Sequence, residues 1–192
     1  MTLKKAFPVA LIVLGLVFVA GGGYTVYRGL DAKDQVRTEL IAQNITTPED
    51  ASIPNVRVDD AASARSMADI IDVHARESAG GLTFAEMGRF MAANGDIAGT
   101  SNADEALTDD SGKPVPNALR NTAFQASALR TSLYTSVMAF EVSTLVLGLG
   151  VLILVLGFAV AGLGVALGGL VIPSLAKKVH VDPLLAEPHS VA

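Results

Sequence analysis

The sequence predicts an all-α membrane protein with two transmembrane helices and a small, mainly helical extracytoplasmic domain between them. Of the 192 residues, 51% are hydrophobic and only 17% are charged, which is typical of membrane proteins. Two uncharged runs, residues 6–27 and 142–172, each exceed the roughly 20 residues that a helix needs to cross a hydrocarbon core of about 30 Å. No proline separates Pro116 from Pro173, so the second span is predicted to continue a long helix that projects from the membrane.

The first run, residues 6–27, is interpreted as transmembrane helix 1. An alternative is a cleavable signal peptide, because a lysine pair precedes the run and small residues follow at positions 20–23. The run is longer than the apolar core of about 7 to 15 residues that such signals carry. We therefore expect an uncleaved anchor, which a mature chain that begins near Gly22 would contradict.

The distribution of charge predicts the orientation of the two spans. Lysine pairs lie at residues 4–5 and 177–178, whereas residues 28–141 hold ten basic and seventeen acidic residues, a net charge of −7. The positive-inside rule then places both termini in the cytoplasm. The predicted organisation is a cytoplasmic N-terminus (1–5), transmembrane helix 1 (6–27), an extracytoplasmic domain (28–141), transmembrane helix 2 with an extension outside the membrane (142–172) and a cytoplasmic tail (173–192), in a plasma membrane.

Helical periodicity continues in the domain between the spans. One apolar stripe with i, i+3, i+4, i+7 spacing consists of Met67, Ile70, Ile71 and His74. Gly80 and Gly81 follow it, as in a left-handed helix cap. Thr83 and Glu86 have the spacing of a capping box, which predicts another short helix with Phe84, Met87 and Met91 on one face.

The composition then changes twice before the second span. Residues 94–116 are rich in Gly, Asp, Ser and Asn, which predicts a mobile loop. Asn117 is the expected N-cap of the long helix. The upper part of that helix offers an apolar surface for the two shorter helices, formed by Leu119, Ala123, Ala126, Leu133, Val137 and Phe140.

A stripe of small residues marks the second span. Gly150, Gly157 and Gly164 recur every seven residues, and Gly15 and Gly22 repeat that spacing in the first span. Small residues let two helix backbones approach closely in lipid. The pattern predicts a helix-packing interface, used either between the spans of one chain or between chains. The candidate residues are Gly15, Gly22, Gly150, Gly157, Ala161, Gly164 and Gly168, while Gly148, Gly162 and Gly169 lie off the stripe and fit loose packing or a second contact face.

Two stretches resemble a known family. "ADIIDVHARESAGGLTFAEM" (68–87) and "NTAFQASALRTSLYTSVMAFEVSTLVLGLGVL" (121–152) are similar to a family of small actinobacterial membrane proteins of unknown function, often labelled as an aromatic ring-opening dioxygenase small subunit. The stretches cover 52 of the 192 residues, and the resemblance implies the same order of domain and spans. The chain departs from the family in a longer segment 94–116 and in Glu141, where a small residue is typical.

The dioxygenase label disagrees with the distribution of histidines. Non-haem Fe(II) ring cleavage generally requires two histidines and a carboxylate around the iron. The chain has only His74, His180 and His189. His74 is predicted outside the membrane and the other two inside, so one chain would not assemble the site, and we predict no enzyme activity.

Two polar residues stay candidates for function. His74 could sense pH or bind a metal, or it could simply end an apolar helical stripe. Glu141 interrupts an apolar stretch, but we expect it about 15 Å outside the hydrocarbon. Pairing with Arg130 or a loop arginine, or exposure to solvent, would then satisfy its charge.

The function predicted from these observations is that of a non-catalytic membrane protein, an interaction or accessory subunit of a cell-envelope complex or a homo-oligomer. Its expected partners are membrane lipid and another copy or another membrane protein. No cofactor and no metal are expected, and basic residues do not cluster with aromatic residues as nucleic-acid binding requires. The alternative is a transport or lipid-handling component. This alternative is less favoured because such routes are usually marked by polar or charged groups, and neither predicted span holds a charged side chain.

Overall fold

The computed structural model describes the backbone of residues 3–179 and the side chains of residues 6–169. Three α-helices lie in this part of the chain: α1 (Leu3–Ala42), α2 (Ala61–Ser78) and α3 (Ala118–Val179). Single 3-10 turns occur at Phe84–Glu86 and Ala103–Glu105, and β pairing among the described residues is limited to isolated bridges. The all-helical class is confirmed. Most of the predicted cytoplasmic tail, with His180 and His189, lies outside the described residues.

Two of the helices are long and apolar enough to cross a membrane, over Ala6–Ala42 and Ala118–Gly169. Only 17% and 11% of their most apolar windows are buried inside the protein. A core helix of a water-soluble protein buries its apolar face against the rest of the fold. The exposed apolar side chains of both helices are therefore compatible with a membrane protein.

The chain divides into two compact units. One, here called the hairpin, comprises among the described residues α1 up to Asp31 and α3 from Thr144. The other, here called the helical domain, comprises Ala32–Ser143. The hairpin holds parts of α1 and α3, and the helical domain holds the remainder of both helices with α2 and the connecting segments.

Helix α2 is defined at both ends by local hydrogen bonds. The Asp60 carboxylate accepts from the Ser63 backbone N–H at 2.8 Å, and Ser63 closes the capping box. At the other end Gly80 and Gly81 have φ of +61° and +88°. The Gly81 N–H donates to the carbonyl of Arg76 at 2.7 Å. The predicted left-handed cap is confirmed as a Schellman motif.

The core of the helical domain lies where α2 and the preceding segment meet α1 and α3. Its buried members are Leu40, Val58, Ala64, Ala68, Leu133, Val137 and Phe140. A second, smaller cluster joins Ala79 and Met87 to Ala123 of α3. The predicted apolar surface of α3 is confirmed as the side that packs in this domain, with Leu119 and Ala126 half-buried.

Segments 43–60 and 79–117 are irregular and are held by backbone pairing. Thr46 bridges to Arg57 in the first, and Phe90 bridges to Thr100 and Pro116 in the second. The predicted helix after Thr83 is only the one 3-10 turn. Met91 is 44% exposed, because the turn ends before a second helical face can form, so the predicted Phe84, Met87 and Met91 face was wrong at Met91.

Residues 94–116 contain the second 3-10 turn and the bridge between Thr108 and Pro114, and Ala106 bridges to Ala92 just before the segment. The Val115 N–H donates to the Leu107 carbonyl at 2.8 Å. The segment therefore has defined backbone partners, and its mobility stays a prediction. Asn117 caps α3 as expected, since its side-chain oxygen accepts from the Arg120 N–H at 3.2 Å.

Candidate helix-packing interface and polar sites

The small-residue stripes of α1 and α3 meet each other in the hairpin. A Cβ added to Gly157 would lie 2.7 Å from the backbone nitrogen of Val19 and 2.9 Å from the carbonyl oxygen of Gly15. One added to Gly150 would lie 2.8 Å from the nitrogen of Val26. Contacts this short are closer than side-chain carbons tolerate. The two backbones therefore touch, which glycine alone permits.

The same pairing recurs in both directions along the hairpin. A Cβ at Gly22 would lie 2.9 Å from the Gly150 carbonyl oxygen, and one at Gly15 would lie 2.5 Å from the Ala161 nitrogen. At Gly164 it would lie 2.9 Å from the Pro8 carbonyl oxygen. Residues with higher numbers in α1 contact residues with lower numbers in α3, so the two helices are antiparallel. The structure brings together six of the seven predicted interface residues, all but Gly168, within one chain.

Gly168 lies at the margin of this interface. A Cβ there would meet only the Pro8 Cβ, at 3.7 Å, which is an ordinary van der Waals contact. A larger residue at this position would not force the two backbones apart. Of the predicted set, Gly168 is the one whose size is least constrained.

Sequence reasoning missed two members of the α1 stripe, Pro8 and Gly29. Both are buried, as are Gly15 and Gly22, and a Cβ at Gly29 would lie 2.8 Å from the Leu147 Cγ. The signal was present, because the four positions share one seven-residue spacing. A seven-residue repeat keeps one face of a helix toward its partner, as in left-handed coiled coils.

The remaining glycines of the two helices face away from this interface. No atom lies within 4 Å of a Cβ added to Gly21, Gly23, Gly148, Gly162 or Gly169. Helical periodicity places Ala159 and Ala166 beside Gly162, and all three are exposed. The hairpin therefore presents a second row of small residues on the outer side of α3.

His74 does not end a buried apolar stripe. Its side chain is 48% exposed, and its Nε2 lies 2.7 Å from Oδ2 of Asp50. This hydrogen bond lowers the pKa of the Asp50 carboxyl below its ordinary value. The partly buried portion of the predicted stripe ends at Ile71, and His74 is exposed beside a carboxylate of segment 43–60.

Glu141 is exposed to solvent, which was one of the expected alternatives, and it pairs with an arginine that was not among the expected partners. Its Oε1 lies 2.7 Å from a terminal nitrogen of Arg65 on α2. Both side chains are at least half exposed, so the pair contributes little to stability. Arg130 instead binds Asp72, at 3.2 Å.

The sequence predicts two i,i+4 ion pairs on the surface of α2, the first between Asp72 and Arg76 and the second between Arg65 and Asp69, and their outcomes differ. Arg76 contacts Asp72 at 3.1 Å, which confirms the first. The second was wrong, because Arg65 turns to Glu141 while Asp69 accepts a hydrogen bond from the hydroxyl of Tyr134 on α3. An i,i+4 ion pair on a helix surface contributes only about 0.3 kcal/mol to stability. Arg65 and Asp69 therefore form contacts with α3 instead of with each other.

Side chains of the types that bind metal ions are not grouped in the part of the chain whose side chains are described. Within residues 6–169 no three His, Asp or Glu side chains lie together as metal ligands would. Asp109 in the acidic segment accepts hydrogen bonds from Ser111 and from the Lys113 N–H. The first of these lowers the pKa of its carboxyl. The Asp109 carboxylate therefore stabilises the turn formed by residues 109–113.

No family model, curated protein or solved structure matches this chain. The resemblance to the actinobacterial membrane protein family stays a prediction.

Proposed function

We propose that the protein is a non-catalytic integral membrane protein that serves as an interaction or accessory subunit, in a cell-envelope complex or as a homo-oligomer. The observation that carries this proposal is the outer face of α3. There Ala159, Gly162 and Ala166 are exposed, and a Cβ built on Gly162 meets nothing within 4 Å. The inner stripe holds the hairpin together, whereas the outer row has no partner among the described residues.

The energetics of glycine support this assignment. Glycine in a helix interior is less favourable than alanine by about 1 kcal/mol. At Gly150 and Gly157 the close contact with α1 offsets that cost. At Gly162 no contact within the described chain offsets the cost of glycine in a helix. A second helix that packs on these small residues would provide such a contact.

The proposed location is a plasma membrane with both termini in the cytoplasm and residues 28–141 outside. The support is the charge difference between the lysine pairs and the net charge of −7 between them. The retained α1 is part of this proposal, because its residues from Pro8 to Gly22 line the contact with α3. Removal of that segment as a signal peptide would expose the inner stripe.

A non-catalytic role fits the chemistry of the described side chains. His74 is joined to Asp50 on an exposed surface, without further ligand-type side chains around it. Transport or lipid handling has less support, because residues 6–27 and 142–169 contain no charged side chain and such routes are usually lined by polar groups. Interaction is therefore the function that the geometry favours.

The proposal is tested by placing large side chains in the outer row of small residues and measuring the mass of the assembled complex. The double variant Ala159→Leu, Gly162→Leu is purified in mild detergent, and its mass is determined by light scattering and by cross-linking in native membranes. We expect loss of the complex with an unchanged thermal unfolding temperature of the chain. Leucine also favours the helix over glycine, so the hairpin itself should persist.

A matched control is Gly23→Leu, which adds the same side chain at an outward glycine of α1 with nothing within 4 Å. That variant should keep the wild-type complex. A wild-type protein that is monomeric in native membranes and purifies without partners would contradict the proposal. So would a complex whose size the double variant leaves unchanged.

A further inference from the structure

The helical domain contains an open cleft of about 590 Å³ beside the first turn of α3. Its walls come from the 3-10 turn at Phe84–Glu86, from the strand-like segment near residue 89 and from the start of α3. The lining side chains used in the argument are Phe84, Arg89, Arg120, Asn121 and Phe124. No Asp or Glu is among the described residues that line it, although the domain as a whole is acidic.

The two arginines of this cleft differ from most others in the domain. Arg37, Arg65, Arg76 and Arg130 each contact a carboxylate within 4 Å. Among the described residues, Arg89 and Arg120 form no such ion pair; they donate to backbone carbonyls, Arg89 to Ser101 at 3.4 Å and Arg120 to Met87 at 3.2 Å. Neither guanidinium therefore has a carboxylate partner within 4 Å among the described residues.

Arg120 is held in position by its surroundings. Its guanidinium lies 4.0 Å from the centre of the Phe84 ring, a cation–π contact. Its Nε–H is used by the Met87 carbonyl. The fixed plane leaves the terminal nitrogens to bind a ligand, and a guanidinium presents such nitrogens in the geometry that carboxylates and phosphates match.

The cleft also offers an apolar surface. Phe84 and Phe124 form a tilted ring pair with centroids 5.4 Å apart. Phe124 is 54% exposed, which is costly for a large aromatic side chain in water. A ligand that covers this ring would remove its apolar surface from solvent.

We propose that this cleft binds a small amphipathic oxyanion, a molecule in which a carboxylate or phosphate group is attached to an apolar or aromatic body. Arg89 and Arg120 bind the oxyanion, and Phe84 and Phe124 contact the apolar body. The amide side chain of Asn121 supplies a neutral donor at the rim. The volume of the cleft accommodates a ligand of about ten to twenty heavy atoms, since binding pockets of several hundred Å³ hold molecules of roughly that size.

The experiment measures binding to the full chain in lipid nanodiscs by isothermal titration calorimetry and by NMR shift changes. The three probes are phenyl phosphate, inorganic phosphate and phenol, which carry both groups, the anion alone and the ring alone. We expect phenyl phosphate to bind at least about tenfold more tightly than either partial probe. Its affinity should fall with added salt, because the interaction is electrostatic. Benzoate in place of phenyl phosphate distinguishes a carboxylate preference from a phosphate preference.

Variants then assign the affinity to the cleft. Arg89→Gln and Arg120→Gln should each weaken phenyl phosphate binding about tenfold, and Phe124→Ala should weaken phenyl phosphate but not inorganic phosphate. Because Arg120 also packs on Phe84, the exposed Arg89 is the variant least prone to disturb folding. The control Arg57→Gln removes an exposed arginine that lies outside the cleft lining and donates to the Ile41 carbonyl, and its binding should equal the wild type.

Three results would overturn the proposal. The first is the absence of binding by both phenyl phosphate and benzoate at millimolar concentration. The second is equal affinity for phenyl phosphate and inorganic phosphate, which would indicate an adventitious anion contact without an apolar subsite. The third is wild-type affinity in both Arg89→Gln and Arg120→Gln while each variant stays folded.

Discussion

Gly157 and Gly162 lie on the same helix in opposite surroundings. A side chain at Gly157 would press on the α1 backbone, whereas one at Gly162 would meet nothing within 4 Å. We expect Gly157→Ala to lower the free energy of unfolding by about 1 to 3 kcal/mol, the usual cost of overpacking. Gly162→Ala should leave it unchanged or raise it by up to about 1 kcal/mol. Thermal unfolding of both variants in the same detergent measures the difference.

Equal stability of the two variants would contradict the packing described for the hairpin. Gly23→Ala is a second control, because it is also open to the surroundings but lies on α1. Its stability should follow that of Gly162→Ala. The comparison depends on position alone, since the chemical change is identical in all three variants.

His74 and Asp50 define a second test at the residue scale. The His74 hydrogen bond is the largest cause of the lowered pKa of Asp50. A lowered carboxyl pKa means that the contact stabilises the fold above the unfolded pKa and that this contribution is lost as the pH falls through the folded one. We expect His74→Phe to raise the pKa of Asp50 toward its ordinary value, as measured by NMR titration of the carboxyl. An unchanged titration curve would show that the ring does not bind this carboxylate.

At the element scale, α2 depends on its N-terminal cap. Asp60 accepts the Ser63 N–H, and this bond is the first cause of its lowered pKa. We expect Asp60→Ala to reduce the free energy of unfolding by about 1 kcal/mol, as loss of an N-cap usually does. Urea unfolding of the full chain in nanodiscs, followed by α2 amide signals, measures this change.

The stability that the Asp60 cap contributes to α2 is expected to decrease as the pH falls. Because the pKa of Asp60 is lowered in the folded state, the cap is fully present above the ordinary carboxyl pKa and weakens as the pH drops through the lowered value. Asp60→Asn keeps a capping oxygen without the charge. Its unfolding should therefore lose the part of the acid dependence that Asp60 contributes, and an identical acid profile would contradict the assignment.

The helices were the most predictable elements, because their signals are local. The Asp60 to Ser78 region has apolar spacing and a Gly80-Gly81 stop, and α3 follows Asn117 as expected. The short turn at Phe84–Glu86 was predicted too long, since a capping box marks where a helix begins but not where it ends. Isolated bridges such as Phe90 to Thr100 left no periodic signal to detect.

The polar contacts were the least predictable, because they join residues far apart in sequence. Glu141 meets Arg65 and Tyr134 meets Asp69 across separations of 76 and 65 residues. Neither periodicity nor charge spacing specifies such partners. No sequence pattern indicated the cleft beside the first turn of α3, for the same reason. Its two arginines, Arg89 and Arg120, are separated by an irregular segment that carries no motif.

At the scale of the whole molecule, one feature was accessible from sequence and is central to the account. A seven-residue repeat of small residues in two uncharged runs predicts two helices in close contact, and the structure places those residues against each other within one chain. The assignment to a membrane rests on the length and the apolar, exposed surface of the two helices, and the side on which residues 28–141 lie is proposed from the distribution of charge.

Labelling of single cysteines tests this topology most directly, because the chain has no cysteine of its own. Ser111→Cys lies in the exposed part of the helical domain, and Ser190→Cys marks the C-terminal tail. In intact spheroplasts a membrane-impermeant maleimide should label Ser111→Cys, and it should label Ser190→Cys only after lysis. Protection of Ser111→Cys until lysis, or labelling of both positions before it, would contradict a two-span protein with both termini in the cytoplasm.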